Sequence, residues 1–409
     1  MTEPDIPYGR QTIEADDVAA VAAVLQGAWL TQGPTIDAFE AAVAERVGAR
    51  HAVAYSSGTA GLHGAAFAAG LGPGDLLVTS PLTFMASANC GRYVGASVGL
   101  VDLDPDTWNL DVAAVPVEAE AVVAVHYAGL PADLSRLEHR PRVVIEDAAH
   151  ALGAVTPDGP VGNCAHSDLC VFSLHPVKPI TTGEGGIVTT NDDELAERLR
   201  RFRCHDIERM PEHGGWYYEI AELGFNYRMT DMQAALGLAQ LPKLDRFLTR
   251  RNEIADRYRV LLSDLSVGLP PAPPAGFSHG YHLFPVRVAN RRRVFDGLRA
   301  AGIGVQVHYP PIYRHPLFAP LGTAPTDYPE TERAYAGLLS LPMYPALTEA
   351  QQDQVVETLT ACDPETPARR CVVKPLWQQI AMVITPKTKA FRRHSRTSAG
   401  RTAECTPDQ

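Results

Sequence analysis

Short apolar runs alternate with longer segments of helical period between residues 51 and 190. Seven runs have the length and the polar boundaries of buried strands, namely HAVAYSS, DLLVTSP, SVGLVDLD, AVVAVHYAG, RVVIEDAAH, DLCVFSLH and GGIVTT. Near-continuous apolar strands separated by helices are typical of a mostly parallel sheet that is covered on both faces. A short loop joins the last two runs, so these can pair antiparallel. The pattern therefore predicts an α/β fold with a mostly parallel seven-stranded sheet.

A different organisation follows the last of these runs. Thr230 and Gln233 match a capping box, which predicts a helix through MQAALGLAQL that continues past Pro242 with a kink. The proline-rich PPAPP at 270–274 marks a linker, and YHLFPVRV and VFDGLRAAGI then predict a strand and a helix. We therefore expect a large domain over 1–250, which includes an N-terminal segment, and a smaller C-terminal α/β domain over 251–365.

The C-terminal residues 366–409 differ from the rest in charge. They contain nine lysines and arginines against two carboxylates and lack sustained apolar periodicity. This composition predicts a disordered or loosely docked basic tail. The alternative is a segment that binds an acidic partner.

Composition narrows the class of protein. The chain has 409 residues, of which 45% are hydrophobic and 20% charged, as in soluble globular proteins. No apolar run reaches the roughly 20 residues that span a bilayer, and MTEPDIPYGR has no secretory pattern. Seven scattered cysteines without CxxC spacing predict reduced thiols and no metal site. The net charge of −11 argues against nucleic acid as a partner. We expect a cytoplasmic protein that binds neither membranes nor nucleic acids.

One lysine lies in an unusually constrained loop. Lys178 is in FSLHPVKPITTGEGGIVTT, between two predicted core strands and between Pro176 and Pro179, which limit its backbone freedom. A charged residue on an ordinary turn is the simplest interpretation, but a solvated lysine has no need of this framing. The loop therefore makes Lys178 a candidate for a chemical role.

Polar residues follow the predicted strands at their carboxyl ends, where ligands bind in such sheets. Ser57, Gly58 and Thr59 close one strand and open a helix, whose N-terminus can bind phosphate, although small residues also make tight turns. Asp147 ends another strand and is either a helix N-cap for AAHALGA or a counter-ion for a cationic ligand group. We expect these groups to converge with the other strand-end residues, namely Ser56, Pro81 to Phe84, His126, Tyr127, His150 and Ser173 to Lys178.

A lysine, a phosphate cradle and a strand-end aspartate form the set that pyridoxal phosphate requires. The lysine amine forms a Schiff base with the cofactor aldehyde, and the carboxylate keeps the pyridine nitrogen protonated. An aromatic residue such as Phe84 can stack on the ring, and His150 either positions the ligand or is a satisfied core histidine. A free amine near neutral pH also requires that the pKa of Lys178 fall below its usual value, which burial would achieve.

Several blocks resemble one family. SSGTAGLH, SPLTFMASAN, VVIEDAAHALGA, FSLHPVKPITTGEGG and LGFNYRMTDMQAALGL are similar to the signature blocks of the DegT/DnrJ/EryC1/StrS sugar aminotransferases, in the family's order. The resemblance extends from roughly residue 6 to residue 362 and leaves out the tail. It implies a fold-type I aminotransferase with pyridoxal phosphate as cofactor. Family relatives with histidine in place of the lysine are dehydratases, so Lys178 favours transamination.

The resemblance also implies roles for individual residues. Lys178 matches the Schiff-base lysine and Asp147 the partner of the pyridinium. The other implied cofactor contacts are His150, Gly58, Thr59, Ser173 and Phe84. Asn226 matches an asparagine that reaches the cofactor of the neighbouring subunit, which implies a homodimer with shared active sites. The segments that line the sugar-nucleotide side contribute Tyr8, Thr31, Gln32, Ser57, His308 and Tyr309.

These matches predict transfer of an amino group from an amino acid, with L-glutamate expected, to a nucleotide-linked sugar. IPYGRQ, LTQGP and WYYEIAELGFNYR are most similar to transaminases of UDP-linked 4-keto-6-deoxy-N-acetylhexosamines, so C4 is the expected position. The alternatives are an aminotransferase for another keto-sugar or a cyclitol, a pyridoxal-phosphate-dependent deoxysugar dehydratase, and a non-catalytic sensor that binds the cofactor.

Overall fold

The computed structural model describes residues 4–362, so the predicted basic tail at 366–409 lies outside the described residues. The strands are β1 (His51–Tyr55), β2 (Leu76–Thr79), β3 (Ser97–Leu100), β4 (Ala121–Val125), β5 (Val143–Asp147), β6 (Val155–Thr156), β7 (Gly159–Pro160), β8 (Leu169–Ser173), β9 (Gly186–Thr190), β10 (Ile207–Arg209), β11 (Tyr218–Ile220), β12 (Phe284–Arg287) and β13 (Leu338–Leu341). The helices are α1 (Ala15–Gln26), α2 (Pro34–Val47), α3 (Gly58–Ala68), α4 (Ala86–Tyr93), α5 (Asp193–Phe202), α6 (Asp231–Gln240), α7 (Leu244–Leu262), α8 (Arg291–Ala300), α9 (Pro329–Ala336) and α10 (Glu349–Cys362).

Seven strands form the central sheet, in the order β1-β9-β8-β5-β4-β2-β3. The five strands from β8 to β3 in this order are parallel, whereas β9 is antiparallel to both β8 and β1. Each predicted apolar run forms one of these strands. The α/β prediction and the antiparallel pairing of the last two runs are therefore confirmed.

Apolar side chains cover the sheet on both faces. In β1, Ala52 and Ala54 pack into one core cluster, together with Phe39 of α2. Val53 and Tyr55 point the other way and pack into a second cluster. Because neighbouring side chains of a strand lie on opposite faces, this division shows why the strands are apolar at nearly every position.

The helix predicted from Thr230 begins with the expected capping box. The Thr230 hydroxyl accepts a hydrogen bond from the Gln233 amide at 3.2 Å, and the Gln233 side chain accepts one from the Thr230 amide at 2.9 Å. The chain then passes through one 3-10 turn at Leu241–Lys243 between α6 and α7. The irregularity expected at Pro242 is confirmed, since proline has no amide hydrogen for the helical ladder, but the structure has two helices joined by a 3-10 turn where one kinked helix was predicted.

The later part of the described chain has its own apolar core. β12 and β13 pair antiparallel, and residues of α7, α8 and α10 pack with them in one cluster. The strand and helix predicted from YHLFPVRV and VFDGLRAAGI correspond to β12 and α8. Within residues 4–362, no helix has the length and apolarity that crossing a membrane requires.

Candidate active site

The strand ends of the central sheet open into a cavity of about 590 Å³. Its lining includes most of the residues that the sequence pointed to, namely Tyr8, Ser56, Ser57, Gly58, Thr59, Thr83, Phe84, Asp147, His150, Ser173, Lys178, His308 and Tyr309. His126 is not part of this lining, because its Nε2 lies 2.7 Å from Oε2 of the buried Glu146. The expected convergence is therefore observed for most of the strand-end groups.

Lys178 is carried on a loop that hydrogen bonds hold closed between β8 and β9. The Thr182 amide and the Thr181 hydroxyl both donate to the Leu174 carbonyl, at 3.0 and 2.9 Å. The half-buried Lys178 places its Nζ 3.3 Å from Nε2 of His282. Burial lowers the pKa of Lys178 to about 8, and the attraction of Asp147 only partly opposes this shift. The direction expected from the sequence is confirmed.

Asp147 at the end of β5 is buried and accepts hydrogen bonds from neutral groups. The Ser87 hydroxyl donates to its Oδ2 at 2.6 Å and the Ala149 amide to its Oδ1 at 3.2 Å. Ser87 in turn lies 2.7 Å from the Thr83 hydroxyl. Within residues 4–362, no lysine or arginine forms an ion pair with Asp147. A buried carboxylate with neutral donors is suited to a cationic ligand group.

The alternative role of Asp147 as a helix N-cap is wrong. Residues 148–153 form turns and not a helix, so no helix begins after β5. Ala148 and Ala151 are fully buried there, and Gly153 has a φ of +85°, a left-handed conformation that interrupts a helical path. His150 consequently reaches the cavity from a turn and not from the first helical turn.

The N-terminus of α3 forms one wall of the cavity. Ser57 caps the helix by accepting a hydrogen bond from the Ala60 amide at 3.1 Å. A Cβ atom on Gly58 would lie 3.0 Å from Ser173 Cβ, and one on Gly186 would lie 2.4 Å from the Ser57 carbonyl oxygen. Only glycine allows this close approach of helix and strands. The N–H groups of the first turn present a partial positive charge to the cavity, which suits a phosphate.

Aromatic and imidazole rings also line the cavity. His150 Nε2 lies 3.2 Å from the Tyr309 hydroxyl, and His308 Nδ1 lies 2.9 Å from the Ser340 hydroxyl. Burial lowers the pKa of His308 to about 4 and the pKa of His150 well below its usual value, and Lys178 adds to both shifts. Both imidazoles are therefore neutral at physiological pH. Half-exposed Phe84 has its ring centroid 5.9 Å from that of Tyr309.

Residues 11–360 match the model of the DegT/DnrJ/EryC1/StrS aminotransferase family. The chain belongs to this family. The resemblance found in the sequence and the prediction of an aminotransferase are confirmed.

Curated relatives match most of the chain of this aminotransferase. It is 36% identical to the spore coat polysaccharide biosynthesis protein SpsC of Bacillus subtilis, over 87% of this chain and 96% of SpsC. It is 34% identical to the UDP-4-amino-4-deoxy-L-arabinose–oxoglutarate aminotransferase of Shewanella sediminis, over 88% of this chain and 98% of that protein.

Solved structures share its fold. The PMP form of Spr1654 from Streptococcus pneumoniae superposes with a TM-score of 0.82 at 26% identity, over 88% of this chain and 99% of that chain. A PLP form of the same protein is also similar. PseC of Helicobacter pylori, an aminotransferase involved in the biosynthesis of pseudaminic acid, gives a TM-score of 0.81 at 29% identity, over 87% of this chain and 98% of that chain. The prediction of pyridoxal phosphate as cofactor is confirmed.

Three predicted site residues lie outside the lining of the cavity. Thr31 and Gln32 are exposed, and Thr31 forms a β-bridge with Thr230. Asn226 is also exposed and forms a bridge with Cys204. The family resemblance implies that Asn226 serves the neighbouring subunit's site, and its role, like those of Thr31 and Gln32, stays a prediction.

Two groups at the site were missed in the sequence. Ser87 holds Asp147 from 60 positions away, and His282 contacts Lys178 from 104 positions away. A polar residue at the start of an apolar strand was the available signal for His282. For Ser87 the available signal was a hydroxyl in SPLTFMASAN, close after a strand end.

The side chains present fit pyridoxal phosphate. The first turn of α3 with Ser173 offers donors for a phosphate, and Asp147 offers a carboxylate for a protonated ring nitrogen. Lys178 offers an amine of lowered pKa for an aldehyde. His150 is buried and its Nδ1 has no hydrogen-bond partner among residues 4–362, which leaves a polar atom for the ligand.

Proposed function

We propose that this sugar aminotransferase transfers an amino group from L-glutamate to C4 of a UDP-linked 4-keto-6-deoxy-N-acetylhexosamine. The product would be UDP-4-amino-4,6-dideoxy-N-acetyl-β-L-altrosamine, on the route to pseudaminic acid. The observation that carries the transaminase assignment is a lysine of lowered pKa in one cavity with a buried aspartate that forms no ion pair with a lysine or arginine within residues 4–362. The likeness to PseC and the segments IPYGRQ and LTQGP support the choice of sugar.

Pyridoxal phosphate supplies an aldehyde and a ring that withdraws electrons from the reacting carbon. Asp147 would hold a proton on the ring nitrogen, and Ser87 and the Ala149 amide keep its carboxylate oriented. Gly58, Thr59 and Ser173 would bind the phosphate. These contacts would fix the cofactor at one place and angle, as productive positioning requires.

Lys178 would both attach the cofactor and move protons. The Nζ atom would take the proton from the Cα of the bound amino donor. This step needs a neutral amine, and a pKa of about 8 provides a useful neutral fraction near neutral pH. In the second half-reaction, the same amine would deliver a proton to C4 of the keto-sugar.

The sugar nucleotide would bind in the part of the cavity that Tyr8, Ser57, His308 and Tyr309 line. The Tyr8 and His308 rings lie 5.5 Å apart, and the Tyr127 hydroxyl donates to the His308 carbonyl. Neutral imidazole and phenol groups suit the hydroxyl and carbonyl groups of a sugar. Thr31 and Gln32 complete the proposed substrate-binding set.

A homodimer with shared sites is part of the proposal, and two exposed apolar surfaces support it. The first lies on and beside the β10–β11 hairpin and comprises Trp216, Tyr218, Ile220 and Leu223, which are 52–81% exposed. The second lies on and after α1 and comprises Val18, Leu25, Trp29 and Leu30, which are 46–61% exposed. Contiguous exposed apolar groups are typical of interaction sites. Asn226 follows the hairpin closely in the chain, as a residue for the neighbouring site would. We also expect the dimer to be cytoplasmic.

Absorbance spectra of the purified protein test the cofactor side of this proposal. The wild type is expected to show a violet band with pyridoxal phosphate, which shifts to shorter wavelength on addition of L-glutamate. Lys178→Ala is the matched variant and should be unable to complete the shift. A wild-type band that does not shift with any amino donor would contradict the assignment as a transaminase and favour the dehydratase or the sensor.

A further inference from the structure

We infer that His282 is a positioning residue that holds the amine of Lys178 at one place in the cavity. The inference rests on the proposed role of Lys178 as the cofactor lysine. His282 Nε2 lies 3.3 Å from Lys178 Nζ, and His282 is 4% exposed. Both residues line the cavity. The contact joins positions 104 residues apart, so the tertiary fold alone brings the imidazole to the amine.

The backbone that carries His282 is fixed on two sides. Arg251 of α7 is fully buried, and its Nη1 donates to the Tyr281 carbonyl at 3.1 Å and lies 3.5 Å from the His282 carbonyl. On the other side, the Leu283 amide donates to the Ala128 carbonyl at 3.2 Å. The imidazole is therefore mounted on a segment that has little freedom to shift, as a positioning group requires.

The electrostatic surroundings of His282 limit what it can do. The charged and titratable groups that act on it are Lys178, Arg251, His150 and His308, all of them bases. Burial and these neighbours lower the pKa of His282 well below its usual value. A neutral imidazole cannot form an ion pair, but one ring nitrogen can share a hydrogen bond with the amine. The contact therefore orients the Lys178 amine, and because the imidazole is neutral it does not hold that amine in its charged form.

Within residues 4–362, the contact with Lys178 is the only hydrogen bond of the His282 ring. His282 Nδ1 has no hydrogen-bond partner there, and the neighbouring ring of His150 lies 4.5 Å away between centroids, tilted by 46°. The imidazole is thus not a core histidine tied to several groups. A released lysine side chain has many rotamers, and a fixed partner selects the one from which Nζ reaches the reacting carbon.

Three substitutions of His282 separate positioning from packing. His282→Leu has a similar volume and no polar atom, whereas His282→Gln keeps an amide at comparable reach. His282→Asn keeps the amide on a shorter stem, so it is polar but falls short of Lys178. In single-turnover reactions with L-glutamate, we expect about a 100-fold lower rate for the leucine and asparagine variants. The glutamine variant should react at least tenfold faster than the leucine and asparagine variants. The KM for L-glutamate should change less than threefold in each variant.

The cofactor-free protein gives a second readout. We expect pyridoxal phosphate to form its borohydride-reducible link to Lys178 more slowly in the leucine and asparagine variants and at a nearly normal rate in the glutamine variant. Thermal melting of each variant reports on packing. Equal rates in the wild type and the leucine variant would overturn the inference, as would equal losses in all three variants. If the wild type forms no link at Lys178, the proposed function itself is wrong, and this outcome is distinct from both of the others.

Discussion

The lowered pKa of Lys178 predicts how fast the cofactor-free protein captures pyridoxal phosphate at each pH. Only the neutral amine attacks an aldehyde, so the rate should follow the neutral fraction of Lys178. Burial lowers this pKa from 10.5 to about 8. At pH 7 an amine with a pKa of 8 is neutral in about 9% of molecules, roughly 300 times the fraction for an amine with a pKa of 10.5.

The assay mixes cofactor-free protein with pyridoxal phosphate between pH 6 and 10, reduces the link with borohydride and quantifies it at Lys178 by mass spectrometry. We expect the rate to rise about tenfold from pH 6 to pH 7, about fivefold from pH 7 to pH 8, and then to level off. N-α-acetyl-lysine, measured in parallel, corrects for the pH dependence of the reagent. Lys178→Ala gives the background.

Asp147→Asn tests the cause of the shift as well as its size. The Asp147 carboxylate raises the pKa of Lys178 against the effect of burial. Removal of this charge should therefore move the midpoint below pH 8. A rate that keeps rising to pH 10 in the wild type, or a midpoint that rises in Asp147→Asn, would refute the reasoning.

Three further predictions follow from particular contacts. Ser87→Ala removes a 2.6 Å hydrogen bond to the Asp147 carboxylate, which is worth about 1.5–3 kcal/mol. The Kd of pyridoxal phosphate should therefore rise roughly tenfold or more in equilibrium titrations. An unchanged Kd would show that Ser87 is dispensable. Gly58→Ala places a Cβ 3.0 Å from Ser173 Cβ at the proposed phosphate site, so in competition titrations it should weaken pyridoxal phosphate much more than pyridoxal, and equal effects on both would contradict the assignment. Lys178→Ala should be inactive and Asn226→Ala impaired, but a mixture of the two under conditions that exchange subunits should regain activity, because each mixed dimer holds one intact site. Sedimentation measures dimer formation. Dimers without regained activity would argue against shared sites.

Local patterns in the sequence were sufficient to predict the sheet. Its strands are buried on both faces, and such strands appear in the sequence as continuous apolar runs whatever their partners are. Asp147 could be identified for a related reason. A carboxylate at the end of the buried run VVIE is costly unless it has a partner, which marks it as a candidate site residue.

The alternative of a helix that begins at Asp147 shows where local reasoning fails. AAHALGA has good helix formers, but buried Ala148 and Ala151 and the left-handed Gly153 give a turn that packs against the core. Tertiary packing overrides propensity over so short a segment. The contacts of His282 and Ser87 were unpredictable for another reason, because they join residues far apart in the chain and no periodicity encodes such pairs.

The most direct test of the central claim measures amino-group balance in one reaction. Purified protein is incubated with pyridoxal phosphate, L-glutamate and a UDP-linked 4-keto-6-deoxy-N-acetylhexosamine, and both 2-oxoglutarate and the 4-amino sugar are quantified over time. The account predicts that the two products form in a one-to-one ratio in the wild type and are not formed by Lys178→Ala. Consumption of the keto-sugar without formation of 2-oxoglutarate would contradict it.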